Sequence, residues 1–461
     1  MPATSKDNKQ GRRQFVKAAA AAVATAQFPI LGANDRINLA VVGVGGRGTN
    51  HVDYYSTLSS ECRLAAICDV NQAARERGTA QVRKLNNYAP KNYSDMRELF
   101  DDKEIDAVSI TTPNHWHALA AIWACQAGKD VYVEKPASHN VFEGRQMVAA
   151  ARKYGRMVQV GSQSRSIAHK MRAIELLREG VIGQVYHARA LCFRRRFSIG
   201  HTPDTAVPPG LNWEQFLGPA QWRPYSENRF AYNWHWFWDT GNGDIGNQGV
   251  HEMDVSLWGL GRTGWPRSVS SIGGKFVWKD DQETPNTQNT TFDFGDAQMS
   301  FDCRNLPTPP EGLARMTGPN YVGNIFFGSD GFLVLDAKRF QVFKSKLGSL
   351  SGAEVRGASA GGRDQYELQM EGAVEEPRGT ETIPHMKNFL DGVRKRDHTI
   401  LRADVEIGTR SAAYCHLANT AYRMGRTLRI AQSTGRFIAD EEANALLTRN
   451  YRAPYVVPES V

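Results

Sequence analysis

Through residues 37–160, short apolar runs alternate with helical segments, and few folds accommodate that order. The runs are Ile37–Val42, Leu64–Cys68, Ala107–Ile110, Val131–Val133 and Met157–Val160; the helical stretches lie near His51–Leu58, Gln72–Leu85, His117–Ala127 and Val141–Tyr154. None of the runs shows the in-and-out polarity of a strand with one wet face, so each needs cover on both sides. Helices between successive strands supply that cover, which makes this half a doubly wound α/β unit around a parallel sheet.

Beyond Gly161 the pattern changes. A helix at Ala168–Glu179 leads into strands at Gln184–Phe193, Ser268–Trp278, Thr290–Phe294, Gln298–Cys303 and Asn324–Leu335, without a helix between each pair. Strands grouped in this way form a mostly antiparallel sheet, so the second half reads as α+β with a large open sheet. Insertions rich in Pro, Gly and aromatics interrupt it at Gly200–Asn233 and Leu306–Asn320, and Gly348–Gly362 reads as a surface loop. Helices near Ile383–Arg394 and Asp404–Arg426 precede an irregular tail. A chain of 461 residues exceeds what one core covers. The expected division is a segment 1–33, a first domain 34–162 and a second domain 163–461.

Segment 1–33 accounts for much of the charge. The chain carries 56 Lys+Arg against 48 Asp+Glu, a formal +8. Lys6, Lys9, Arg12, Arg13 and Lys17 face a single Asp7 in this segment, so half of the excess is local. Gly11-Arg12-Arg13-Gln14-Phe15-Val16-Lys17, followed by the Ala-rich run Ala18–Ala26, resembles a twin-arginine export signal. That resemblance implies a protein exported already folded, to the periplasm or otherwise out of the cytoplasm. What remains of the charge, with no basic stripe interleaved with aromatics, gives no reason to expect nucleic acid. No run of about 18 apolar residues occurs, so no stable membrane association is expected. Cys62, Cys68, Cys125, Cys192, Cys303 and Cys415 contain no C-x-x-C pair and read as buried free thiols; no metal site is expected.

Gly43-Val44-Gly45-Gly46-Arg47-Gly48 satisfies G-x-G-x-x-G directly after the first strand and at the opening of the first helix. In that context the glycines allow a tight turn, close approach of a pyrophosphate and helix–strand contact, while the helix N-terminus attracts the anion. Asp69, 21 residues after Gly48 at the end of the second strand, is placed to accept hydrogen bonds from an adenosine ribose. A carboxylate there repels a 2′-phosphate, which favours NAD; Arg75 nearby keeps NADP open. Further candidates end later strands, where open α/β sheets hold ligands: Thr111-Thr112-Pro113-Asn114-His115-Trp116-His117 and Glu134-Lys135-Pro136.

On these motifs, and on Gly243-Asp244-Ile245-Gly246-Asn247-Gln248-Gly249-Val250-His251-Glu252-Met253-Asp254, the chain resembles the Gfo/Idh/MocA oxidoreductases from Ile37 to its C-terminus. The resemblance implies a Rossmann domain joined to an open-sheet domain, with substrate held between them. It implies a tightly held NAD contacted by Gly43, Gly45, Gly46, Arg47, Gly48, Asp69, Thr111, Pro113, Asn114, His117, Glu134, Lys135 and Gln163. Lys135 would also polarise the reacting hydroxyl, and His251 would be the acid/base. Elementary chemistry agrees: imidazole takes a hydroxyl proton near neutrality, and an ammonium stabilises the developing alkoxide. One departure matters. Many relatives carry Asp where this chain has Asn247, a neutral amide that cannot stabilise an imidazolium by charge, so Asp244 or Asp254 would have to stand in.

Arg165, Trp236, Asn247 and His251 are the candidate substrate contacts. In Tyr232-Asn233-Trp234-His235-Trp236-Phe237-Trp238-Asp239, aromatic faces can stack on sugar rings and the flanking Asn, His and Asp can address hydroxyls. Read as a strand, this run points Trp234, Trp236 and Trp238 to one face, which serves burial equally. Arg194-Arg195-Arg196 is read as facing solvent in preference to an anionic ligand. The expectation is an exported NAD(P)-dependent oxidoreductase acting on a secondary hydroxyl of a sugar or glycoside, self-associating through its open sheet. The alternatives are an NAD-dependent glycosidase working by transient oxidation and elimination, and a non-catalytic nucleotide- or sugar-binding protein.

Overall fold

The computed structural model describes residues 36–308, 320–346, 365–373 and 382–461. The twin-arginine segment, the stretch 348–362 and most of the insertion from Leu306 onward lie outside the described residues. Six parallel strands, β1 (Ile37–Val42), β2 (Cys62–Cys68), β3 (Lys91–Tyr93), β4 (Ala107–Ile110), β5 (Asp130–Val133) and β6 (Val158–Val160), form one sheet in the order β3-β2-β1-β4-β5-β6. Its faces are covered by helices that include α1 (Arg47–Thr57), α2 (Gln72–Asn86), α3 (Met96–Asp101), α4 (Asn114–Gln126) and α5 (Val141–Lys153). Every residue of β4 and β5 is buried, which is why those strands carry no alternation. β3 and α3 escape a sequence reading because β3 is three largely exposed residues, Lys-Asn-Tyr, with no apolar signature.

After α6 (Ala168–Arg178), a second sheet takes nine strands: β7 (Val185–Arg194), β8 (Ser268–Gly274), β9 (Thr287–Asp293), β10 (Gln298–Arg304), β11 (Asn320–Gly328), β12 (Gly331–Asp336), β13 (Arg339–Ser345), β14 (Tyr366–Ala373) and β15 (Leu428–Arg429). Their order is β14-β13-β12-β11-β7-β10-β9-β8-β15, antiparallel except between β7 and β10. The single strand expected over Asn324–Leu335 is two, because Ser329-Asp330 turns the chain between Gly328 and Gly331 and the halves pair as a hairpin. Short polar residues beside glycine are turn formers, and here that preference outweighs the flanking apolar pattern.

One face of this sheet packs on α9 (Gly249–Gly259) and α11 (Val405–Met424); α7 (Trp213–Leu217), α8 (Gly243–Asn247) and α10 (Ile383–Lys395) complete the numbering up to α11. The other face carries Leu191, Phe193, Ile325 and Val334, with Phe327, Phe332 and Phe343 partly buried against them. Helix α11 belongs to both cores. Val405 and Ala412 pack with β1, β4 and β5 together with Tyr455, Val457 and Val461, while Ala413, Tyr414 and Leu417 pack under the second sheet. All six cysteines are buried and unbridged. Among the described residues no helix is long and apolar enough to cross a membrane.

Candidate active site

Strand order reverses between β1 and β4, and a cleft of about 580 Å³ opens at the carboxyl ends of β1, β2, β4 and β5. Gly43, Asp69, Thr111 and Lys135 each follow one of these strands and line the cleft. Gly43 has φ +89°, and a Cβ there would meet the Thr112 nitrogen at 2.9 Å. At Gly48 a Cβ would lie 1.9 Å from the Gly43 carbonyl oxygen and 2.7 Å from Thr111 Oγ1, so the first helix turn rests directly on the loop. Gly46 differs, having nothing within 4 Å of its missing Cβ; it caps α1 without any side-chain hydrogen bond. The loop therefore offers bare N–H groups and the positive helix end to the cleft, a cradle fitted to a pyrophosphate.

Asp69 accepts the Val44 and Asn71 amides, each at 2.8 Å. Burial raises its carboxyl above the usual value, against those bonds. Arg75 is turned back onto the Asp69 carbonyl at 2.5 Å, which fixes the turn and engages the arginine that could otherwise meet a 2′-phosphate. Thr111 hydroxyl donates to Val42 and Gly43 carbonyls, tying β4 to the loop.

Glu134 is the hub beneath this floor. Its Oε1 accepts Arg47 at 3.1 Å, His51 at 2.9 Å and Gln163 at 3.1 Å. Burial alone would raise this carboxyl, but Arg47 and His51 hold it well below the usual range. Arg47 and Gln163 thus brace Glu134; Arg47 lines the cleft and Gln163 does not. His117 is buried with one ring nitrogen 2.7 Å from the Pro136 carbonyl and the other 2.7 Å from Thr112, joining the two loops. Asn114 bonds to Asn242 at 3.2 Å. Lys135, before a cis proline, directs Nζ to the Asn247 carbonyl at 2.8 Å. Burial lowers its ammonium below the usual lysine range, opposed by Glu134.

Phe230, Tyr232, Trp234, His235 and Asn247 also line the cleft. Asn233–Trp236 forms a 3₁₀ turn, so strand alternation does not apply to this run. Trp234 reaches the cleft, Trp236 is buried beneath with Arg196 at 5.3 Å, and Trp238 pairs with Arg423. Asn247 donates to the Tyr232 hydroxyl at 2.9 Å. Neither expected stand-in carboxylate bonds to His251. Asp244 holds Arg196 through both oxygens, at 2.7 and 3.2 Å, and Asp254 holds Arg165 through Nε at 2.8 Å and Nη2 at 2.9 Å. Arg165 is thereby committed to Asp254 and does not line the cleft. Of the arginine run, Arg196 is not solvent-facing but locked to Asp244, Arg194 bonds to Gln248 at 2.7 Å, and Arg195 is exposed. His251 begins α9 outside the cleft lining, and burial, then Lys135, lowers its imidazole to about 3.

Comparison with known proteins gives the same architecture. The Gfo/Idh/MocA oxidoreductase family, NAD-binding Rossmann fold, matches residues 37–162, and that family's C-terminal alpha/beta domain matches residues 189–272 and 374–457. A glycosyl hydrolase family 109 protein of Shewanella sp. (strain W3-18-1) is 32% identical over 160 residues, 34% of this chain and 35% of that protein. The match thus spans about a third of that relative's length. Levoglucosan dehydrogenase in complex with NADH superposes with a TM-score of 0.64 at 18% identity, over 86% of this chain and 100% of that one. The WlbA dehydrogenase from Bordetella pertussis, in complex with NADH and UDP-GlcNAcA, gives 0.61 at 20% identity, over 87% and 99%.

Proposed function

The chain belongs to the Gfo/Idh/MocA family of NAD-binding oxidoreductases, and from that premise we propose that it oxidises a secondary hydroxyl of a sugar or glycoside outside the cytoplasm. The observation that carries this reading is a single cleft lined both by Asp69 and the open glycine loop and by Lys135, Trp234 and His235. The loop and Asp69 hold the dinucleotide. Bound NAD supplies the hydride acceptor. Lys135 polarises the hydroxyl, a neutral imidazole takes its proton, and Trp234 stacks on the apolar face of the ring.

Export by the twin-arginine route and retention of the cofactor belong together in this proposal, since free NAD is scarce outside the cell. Protein purified without added nucleotide should release NAD(H) at close to one per chain, and should form NADH when given levoglucosan or D-glucose in excess NAD. A nucleotide-free preparation refutes retention; absence of NADH with sugars refutes the oxidation. The apolar outer face of the second sheet supports self-association through that surface.

The match to glycosyl hydrolase family 109 proteins favours a second reading, cleavage of a glycosidic bond with the cofactor recycled. Steady release of nitrophenol from 4-nitrophenyl glycosides without net NADH would establish it in place of the first.

A further inference from the structure

The family position for the acid/base is His251, yet another histidine is better built for the task. His235 lines the cleft with Lys135, and its Nδ1 lies 2.6 Å from the Tyr232 carbonyl oxygen. A carbonyl can only accept, so Nδ1 carries the proton and Nε2 keeps a bare lone pair. No described residue bonds to that Nε2. The ring is fixed from both sides, stacked on Trp234 at 3.5 Å between centroids and against Tyr232 at 4.5 Å. Burial, opposed by the bond to the Tyr232 carbonyl, pushes its pKa well below the usual value, which favours the neutral ring.

The other histidines lack one or more of these features. His117 also lines the cleft but points both nitrogens at carbonyl oxygens, and His115 does the same toward Thr240 and Phe216. His51 is held between Glu134 and Ser109. His251 lies outside the lining, and no described side chain or carbonyl orients its ring. A general base works when a third group fixes its tautomer and direction, and in this chain the Tyr232 carbonyl provides that for His235 alone among the cleft histidines.

We propose that His235 Nε2 is the proton acceptor for the substrate hydroxyl, an assignment that rests on the NAD-dependent oxidation above. As the alcohol carbon loses its C–H pair as hydride to the oxidised nicotinamide, the O–H proton passes to Nε2 and the remaining electron pair closes the C=O bond. Lys135 stabilises the oxygen as that proton leaves.

The test compares the whole protein with His235→Ala, His235→Gln and His251→Ala, using levoglucosan and D-glucose. Loss of the base lowers kcat by about 100-fold or more, with NADH affinity within twofold of the parent as the check on folding. Added imidazoles restore turnover to His235→Ala, and the restored rate follows the pKa of the imidazole added, which a purely structural ring would not produce. Independently of turnover, ¹⁵N-histidine spectra place the His235 proton on Nδ1 and shift Nε2 when sugar is added. The assignment is overturned if His235→Ala keeps more than a third of the parent kcat, if imidazole never rescues it, if His251→Ala loses more than His235→Ala, or if the spectra show Nε2–H. Wild-type protein that reduces NAD with neither sugar overturns the parent reading and the assignment with it.

Discussion

Gly46 and Gly48, two positions apart at the start of α1, should fail in opposite ways when substituted. Gly46→Ala and Gly48→Ala add the same methyl group to the same loop. At Gly48 it would sit 1.9 Å from the Gly43 oxygen, roughly 1.5 Å short of an ordinary contact. The oxygen belongs to backbone and the methyl is fixed directly to backbone, so the helix must back away from the loop, at the upper end of an overpacking cost of about 1–3 kcal/mol. For a chain of this size that amounts to a fall in Tm of roughly 2–3 °C. At Gly46 there is nothing within 4 Å to displace, so Tm should stay within about 1 °C of the parent. The methyl instead obstructs the approach of a phosphate to the bare helix N-terminus, removing a charge-assisted hydrogen bond of about 1.5–3 kcal/mol, a tenfold to hundredfold loss of NAD affinity. Differential scanning fluorimetry of nucleotide-free protein and NADH fluorescence titration separate the effects. A Gly46→Ala protein that binds NADH normally, or a Gly48→Ala protein with unchanged Tm, refutes the account of this loop.

Arg165→Ala should cost about 3–5 kcal/mol, because Asp254, whose side chain is 1% exposed in the intact pair, keeps only the Ser411 hydroxyl as a hydrogen-bond partner among the described residues. A variant of normal stability in urea with a raised KM for sugar would return Arg165 to the substrate. Glu252, buried in α9, has its carboxyl pushed up by burial to about 8. The folded state then holds a proton that the unfolded chain has released above about 4.5, so stability falls as pH rises from about 5 to 8, by at most about 1.4 kcal/mol per unit from this group. Glu252→Gln should flatten that decline in urea melts across the window; an unchanged slope refutes it.

The parts of the molecule visible in the sequence are those governed by local rules. Strands β1 and β4 coincide with their apolar runs, and Gly43, Asp69 and Lys135 stand out in the sequence because each follows such a run, where a parallel sheet presents its ligand edge. Partnership was not visible. Nothing near Arg165 announces Asp254, 89 residues on, and nothing near Arg196 announces Asp244, 48 residues on; charge selects its partner only when the chain has folded. The aromatic run at Tyr232 alternates like a strand but closes as a 3₁₀ turn, and that turn, not the alternation, points His235 and Trp234 at the cleft. The signal available was a histidine three residues after the tyrosine whose carbonyl it meets, a spacing that fits a turn and not a strand.

Helix α11 and the residues after it set a schedule for making this protein. The first sheet is complete at Val160, yet its core also needs Val405, Ala412, Tyr455, Val457 and Val461. At a synthesis rate of about 5–20 residues per second, the emerging sheet waits roughly 15–60 s for the segment that covers it. During that interval the nucleotide loop exists as sequence without its full support, so cofactor capture is an event of the finished chain. A ribosome-bound nascent protein ending near residue 400 should therefore remain protease-sensitive throughout its dinucleotide half, however complete that half looks when written out as a sequence.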